Sequence, residues 1–263
     1  MKWSIIVDIG NQDTVVGSFD QNGEVLFTAR IPTHRRTASE VEQWVNFLFL
    51  KYHLDPAKIQ GLAVASVVPQ VNDIWNQVSQ EFFKRDAFMV NHRTVTDWLK
   101  LEVDYPDEVG PDRLANSVAA RFIFPNHSAI ILDFGTATTF DVVHKEGHYC
   151  GGIISPGLGL AVESLGKTAA LLPRISVKKM DYVVGRNTVD AMTSGAYWGY
   201  IAMVDGLLEK IILEQSQQGQ NDFKLLATGG WAPLICKGLK NQDIIVDSHL
   251  TLKGIYYVTR KPE

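Results

Sequence analysis

The chain has 263 residues, 46% of them hydrophobic and 21% charged, with a formal net charge of -4 and a pI near 6.0. This length suffices for one large or two small domains, and the weakly acidic balance excludes the electrostatic footprint of a nucleic-acid or anionic-membrane binder. Anionic ligands must then be held by backbone amides and a few placed cations.

The apolar run Ile5 to Val7 stops at Asp8, far too short for a signal peptide or a spanning helix. Ser4 to Val7 reads as a buried strand, Thr14 to Phe19 as a second, Asn22-Gly23 as a hairpin turn and Val25 to Ile31 as a third strand. Ser39 is placed to cap a helix with Val41, Val45, Leu48, Phe49 and Tyr52 on one face. Gly61 to Val68 reads as a strand stopped by Pro69, and a helix follows through Ile74, Trp75, Val78 and Phe82. Pro111, with Gly110 before it, suits the first turn of another helix.

The order of elements then recurs. Ser128 to Leu132 and Thr138 to Val143 read as strands, Lys145-Glu146-Gly147 as a turn and His148 to Ile154 as a third strand. Helices are expected over Leu160 to Leu172 and Asn187 to Gln215, then a strand at Phe223 to Ala227, the turn Thr228-Gly229-Gly230, a helix, a strand at Ile244 to Val246 and a closing helix over Leu250 to Thr259. The halves also share a motif: Asp8-x-Gly10-x-x-x-Thr14 matches Asp133-x-Gly135-x-x-x-Thr139, each after an apolar strand and opening a hairpin. A repeat this long is no solenoid; it predicts a duplicated domain, divided as residues 1–126 and 127–263. The two cysteines, Cys150 and Cys236, form no CxxC pair, which suits a reducing cytoplasm.

An acid at a strand end followed by glycine has a physical use. Gly10 and Gly135 let backbone approach a ligand without a Cβ in the way, and the following amides can point at phosphate oxygens. Asn11, Thr136 and Thr138 add side-chain donors. Asp8 and Asp133 suit such a site only if cations intervene, Mg²⁺ being the usual partner of ATP. In Gly110-Pro111-Asp112-Arg113, the helix dipole would keep Asp112 ionised to accept the proton of an attacking hydroxyl. Arg113 would hold a substrate carboxylate. Gly229 and Gly230 would let a flat adenine approach the backbone. The bland alternatives are an Asp bonding its own turn, an acid complementing a helix dipole and an ordinary strand-to-helix turn. His144, Glu146 and His148 straddle a turn rather than share a helix face, so they are not expected to bind metal. Trp198, Ile201, Val204, Leu208 and Ile211 read as core or dimer interface, Trp44 and Trp75 as core. Ser194 lacks a nucleophile elbow, and no Walker lysine motif is present.

Taken together, Asp8-Ile9-Gly10-Asn11, Ser66-Val67-Val68-Pro69, Gly110-Pro111-Asp112-Arg113, Asp133-Phe134-Gly135-Thr136-Ala137-Thr138-Thr139, Gly151-Gly152-Ile153-Ile154-Ser155-Pro156-Gly157, Thr228-Gly229-Gly230 and Leu250-Thr251-Leu252-Lys253-Gly254 resemble the ordered motifs of type III pantothenate kinases. The resemblance spans nearly the whole chain. It implies an α/β fold of two ribonuclease-H-like, actin-like domains, each a mixed five-stranded sheet flanked by helices, with a cleft between them. It implies a cytoplasmic homodimer with the substrate site at the interface, no nucleic acid or membrane partner, and phosphorylation of pantothenate by ATP with Mg²⁺ and a monovalent cation, K⁺ or NH₄⁺. Carried over by motif, Asp8, Ile9, Gly10, Asn11, Gln12, Asp13, Thr14, Val15, Thr136, Gly229 and Gly230 would contact ATP, Asp8 through Mg²⁺. Asp133 would hold the monovalent cation. Asp112 would be the proton acceptor, and Val103, Gly110, Pro111, Asp112, Arg113 and Thr188 would bind pantothenate. Three positions depart from the family pattern: Gln12 stands for a threonine, Pro111 for a small residue and Val103 for a tyrosine. A kinase of the same fold acting on another small hydroxy compound, and a non-catalytic regulatory paralogue, stay open on these grounds.

Overall fold

A computed structural model of the chain describes residues 3–20, 22–34, 36–168 and 172–260. In chain order the strands and helices are β1 (Trp3–Ile9), β2 (Asp13–Phe19), β3 (Val25–Pro32), α1 (Ala38–Lys51), β4 (Ile59–Ser66), α2 (Asn72–Phe83), β5 (Phe88–Met89), β6 (Lys100–Leu101), α3 (Pro111–Ile123), β7 (Ser128–Phe134), β8 (Ala137–Val143), β9 (His148–Pro156), α4 (Leu158–Thr168), α5 (Thr188–Gln217), β10 (Phe223–Thr228), α6 (Ala232–Ile235), β11 (Ile244–Val246) and α7 (Leu250–Val258). They form two compact units. The first runs to Ile123 and takes in Gly147–Tyr149 and the segment from His249 onwards; the second is Phe124–Glu146 with Cys150–Ser248.

In the first unit the sheet order is β3-β2-β1-β4-β5, with β1 antiparallel to β2 and parallel to β4. β1 is apolar on both sides because both its faces are covered. Ile5, Val7 and Ile9 pack with Val41, Val45, Leu48 and Phe49 of α1 and Trp75 and Val78 of α2, and Trp44 packs partly buried against this core. Ile6 lies opposite Gly17, on the other face. There a Cβ on Gly17 would come within 3.1 Å of Leu252 of α7. α7 packs in turn on α3, and so closely that a Cβ on Gly254 would lie 1.9 Å from the Ala115 carbonyl oxygen. The Tyr256 hydroxyl donates to the Asp20 carbonyl at 2.8 Å, and its ring stacks on Phe19 at 5.1 Å.

Several boundaries differ from expectation. The α1 cap is Thr37 rather than Ser39: its hydroxyl accepts from the Glu40 N–H while the Glu40 carboxylate accepts from the Thr37 N–H, a reciprocal capping box. The β2–β3 turn is wider than Asn22-Gly23 alone, because the Asp20 carboxylate accepts the amides of Asn22 and Glu24. Gly23 holds φ +86, as a glycine turn requires.

In the second unit the order is β11-β10-β7-β8-β9, and β7 is antiparallel to β8 and parallel to β10. Read from the hairpin side, this repeats the arrangement of the first sheet, as the duplicated motif requires. The sheet carries six strands rather than five: β6 pairs with His148 and Tyr149 at the start of β9. Ile201, Val204, Leu208 and Ile211 of α5 pack on Ile130, Leu132, Phe134 and Phe140, so that stripe is core. α4 is helical through Thr168; residues 169–171 of the expected helix lie outside the described residues, and Leu172, before Pro173, is not helical, as a residue preceding proline is steered away from α geometry. Among the described residues, no helix is long and apolar enough to cross a membrane.

Candidate nucleotide and acceptor site

Asp8 is the last residue but one of β1, opposite Val15 of β2 and beside Ala65 of β4. Alternation puts it on the Ile6 face, the side covered by α7. The turn that follows is pinned at both ends: the Gly10 N–H donates to the Asp13 carbonyl at 3.0 Å, and the Gln12 carbonyl accepts from the Thr33 N–H at 2.7 Å. Asn11 and Gln12 stand exposed at its tip. Asp13 and Thr14, expected at ATP, are engaged within the fold. The Asp13 carboxylate meets the Arg30 guanidinium at 3.0 Å, and the buried Thr14 hydroxyl shares a 2.7 Å hydrogen bond with Thr33. Ile9 is buried, and Val15 lies half-buried on the Asp8 face.

Gly110, Pro111, Asp112 and Arg113 are brought together at the start of α3. The Gly110 carbonyl accepts the Leu114 N–H at 3.0 Å, and Asp112 Oδ1 accepts the Arg113 N–H at 2.8 Å. A Cβ on Gly110 would sit 2.5 Å from Asp112 Oδ1, so glycine there leaves the carboxylate its room. The residue keeps some solvent exposure, but its carboxyl is closely surrounded. Burial pushes the Asp112 carboxyl above its ordinary value, against the opposing pull of the Arg113 amide and charge. Val103 is half-buried, and Tyr105 is 66% exposed, both between β6 and α3. Gly110→Ala is expected to lower kcat about a hundredfold by displacing the carboxylate. A coupled ADP assay beside a thermal melt checks this: a large rate loss with a melting temperature near that of the unmodified chain.

In the second unit, Asp133 lies opposite Thr139 and beside Thr228. Three glycine turns converge on its hairpin. A Cβ on Gly135 would stand 3.3 Å from Asp133 Oδ1. Gly157 donates its N–H to the Thr136 carbonyl at 3.1 Å, and a Cβ there would come within 2.3 Å of the same oxygen. Gly229, at φ +91, would put a Cβ 2.4 Å from the Phe134 carbonyl carbon and 2.7 Å from Asp133 Oδ1. The Trp231 N–H donates to the Phe134 carbonyl at 3.3 Å, as the Val67 N–H donates to that of Ile9 in the first unit. Thr136 is exposed at the hairpin tip, and a Cβ on Gly230 would meet open space. The carboxylate of Asp133 thus lies in a cradle that side chains on Gly135 or Gly229 would crowd. This fits a cation held by oxygen atoms.

Thr138, read from sequence as a side-chain donor to phosphate, is turned away from that role. It pairs with Phe134, so its side chain faces the helix-covered core, where it is fully buried and hydrogen-bonded to the Tyr200 hydroxyl. Thr188, the first residue of α5, is exposed and follows the cap Asn187, whose side chain accepts the Asp190 N–H at 2.9 Å. Ser194 is buried with its hydroxyl on the Val183 carbonyl. His144 bonds Gln215 at 2.8 Å, and His148 Nδ1 lies 3.3 Å from Glu102. Gly157 and Trp231 join the Asp133 hairpin although their spacing singles neither out. Pro156-Gly157 enters the sequence reading only as the end of a family motif, with no contact implied, and a tryptophan after two glycines carries no signal of where its amide goes.

The sequence pattern of the type III pantothenate kinase family matches residues 4–210. The type III pantothenate kinase of Paramagnetospirillum magneticum is 38% identical, over 98% of this chain and 96% of the relative. That of Koribacter versatilis is 40% identical, over 95% and 93% respectively. Among solved structures, the (R)-2-hydroxyglutaryl-CoA dehydratase component A of Acidaminococcus fermentans superposes with a TM-score of 0.55 at 11% identity, covering 98% of each chain. That likeness concerns the fold: two mixed sheets flanked by helices, in the ribonuclease-H-like, actin-like manner. On this similarity, nearly end to end, the chain belongs to the type III pantothenate kinase family.

Proposed function

We propose that this chain moves the γ-phosphoryl group of ATP onto the hydroxyl of pantothenate, giving 4′-phosphopantothenate, the step that opens coenzyme A synthesis. The observation that carries this is the family relation, at 38% identity over 98% of the chain. The acceptor oxygen forms a bond to the γ-phosphorus, the bond from phosphorus to the β–γ bridging oxygen breaks, and the acceptor's proton goes to Asp112. Phosphoryl transfer asks mainly for orientation and charge stabilisation, so an acid fixed by the Arg113 N–H suffices. The raised Asp112 carboxyl is the better proton acceptor for its surroundings.

In the same proposal, Asp8 and the turn Gly10 to Gln12 face ATP, with Ile9, Asp13, Thr14 and Val15 shaping that turn from within the fold. Thr136, Gly229 and Gly230 are the further nucleotide contacts in this proposal. Arg113 binds the pantothenate carboxylate, and Gly110, Pro111, Val103 and Thr188 line the acceptor site. Mg²⁺ gives up water reluctantly and is commonly held by one or two carboxylates plus substrate phosphates; Asp8 supplies the carboxylate here. Mg²⁺ supplies charge neutralisation at the phosphates when bound. Asp133 is the ligand proposed for K⁺ or NH₄⁺. The working form is proposed to be a cytoplasmic homodimer whose substrate site includes the interface.

A coupled assay of ADP release tests the activity and the cation role together. ADP release is expected to require pantothenate, to proceed in K⁺ or NH₄⁺ and to fall at least about tenfold in Na⁺, in the way cavity size and ligand number select among hard cations. Equal ADP release with and without pantothenate would count against the activity. Equal rates in all three salts would remove Asp133 from the cation role.

A further inference from the structure

Tyr200 sits mid-way along α5 with its hydroxyl in the interior of the second unit. Its ring lies 6.3 Å from that of Phe134. The hydroxyl bonds Thr138, on the returning arm of the Asp133 hairpin, and the Leu158 backbone also hydrogen-bonds it. Leu158 opens α4, directly after Gly157, whose N–H holds the Thr136 carbonyl at 3.1 Å. The phenol therefore joins two segments, and the tip Gly135-Thr136, with Thr136 exposed, lies between them. Burial pushes the phenol above its ordinary value, and the charge of Asp133 adds to this, which places the acid within electrostatic reach of the hydroxyl.

We infer that Tyr200 is a positioning residue for nucleotide binding: its hydroxyl fixes the Gly135–Thr136 turn between Thr138 and the start of α4. This rests on the proposed role of Thr136 at ATP. Tyrosine supplies what phenylalanine cannot, one group that both donates and accepts in a place closed to water. Thr138, fully buried, has no access to solvent to replace the bond, so losing the phenol leaves an orphaned hydroxyl as well as a loosened turn.

The two consequences separate experimentally. Tyr200→Phe leaves the Thr138 hydroxyl buried and unpaired, which lowers the melting temperature. Adding Thr138→Val replaces the orphaned threonine hydroxyl by an apolar group of similar shape, leaving only the Leu158 backbone group without the phenol. The single variant is expected to raise KM for ATP about five- to tenfold, as the loss of one buried hydrogen bond would, with KM for pantothenate unchanged. The double variant is expected to recover part of its melting temperature while KM for ATP stays high. Recovery of both would reduce Tyr200 to a structural residue and overturn the inference, as would an unchanged KM for ATP in the single variant. Direct titration with ADP, read by intrinsic tryptophan fluorescence, gives the same comparison without turnover. The unmodified chain is assayed first: if it fails to phosphorylate pantothenate, the proposed activity falls, whereas activity with unaffected variants removes Tyr200 alone.

Discussion

Asp112→Asn is expected to lower kcat by about 10²–10⁴, the range associated with loss of a positioned general base, while ATP binding persists. Asparagine keeps an oxygen able to accept the Arg113 N–H, now held at 2.8 Å, so the start of α3 stays folded and only proton acceptance is lost. The pH profile makes the assignment sharper. Because burial raises the Asp112 carboxyl, activity should rise with pH along an acid limb lying above the usual carboxylate range, and the asparagine variant should lack that limb. Stability moves the other way. A carboxyl whose value is raised on folding holds its proton longer in the native state, so its contribution is favourable at low pH and is lost as pH rises from the unfolded value through the folded one. At neutral pH, Asp112→Asn should therefore match or exceed the original in melting temperature, and the difference should vanish below the unfolded carboxyl value. A variant both inactive and unfolded at neutral pH would contradict this.

Gly254→Ala is expected to be the most damaging single methyl in the first unit. The added carbon would lie 1.9 Å from the Ala115 oxygen and 2.4 Å from its carbonyl carbon. Backbone cannot swing aside as a flexible side chain can, so α7 and α3 must part. Overpacking of this kind costs about 1–3 kcal/mol, occasionally more, and each kcal/mol lowers the melting temperature by about 2–4 °C in chains of this size. Because α3 carries Asp112 and Arg113, kcat should fall with stability. Gly206→Ala on α5 is the control: nothing lies within 4 Å of its added carbon, so relief of glycine's entropy in a helix should stabilise by about 0.5–1 kcal/mol. Equal melting temperatures for the two variants would show that the α3–α7 contact is not tight.

The elements that carry the acids are the ones most legible from sequence. β1, β2, β7 and β8 are runs long enough for an apolar pattern to show, and each acid-glycine pair ends its strand where the register places it. β5 and β6 are two residues each, too short for a two-residue period to register, so the sixth strand of the second sheet stayed hidden. The α1 cap turned on a competition that spacing alone does not decide: Ser39 and Thr37 both suit, and the choice follows Glu40, which reaches back to Thr37. At the candidate site, the clustering of Gly110, Asp112 and Arg113 was legible because one helical turn holds them. Thr138 and Asp13 were harder. A threonine after one glycine turn and a carboxylate after the other look available in sequence, and only pairing partners across the strands, Phe134 for Thr138 and the Arg30-bearing β3 for Asp13, give their directions.

The return of α7 to the first unit bears on how the chain is made. The strand with Asp8 and the helix with Asp112 are translated before the second unit, yet the helix that seals them, packed on Ala115 and bonded to Asp20, is translated after the whole of it. The nascent chain must therefore carry an uncovered apolar groove while the second unit is made, and α3, which bears the proposed proton acceptor Asp112, gains its final packing only once α7 has emerged.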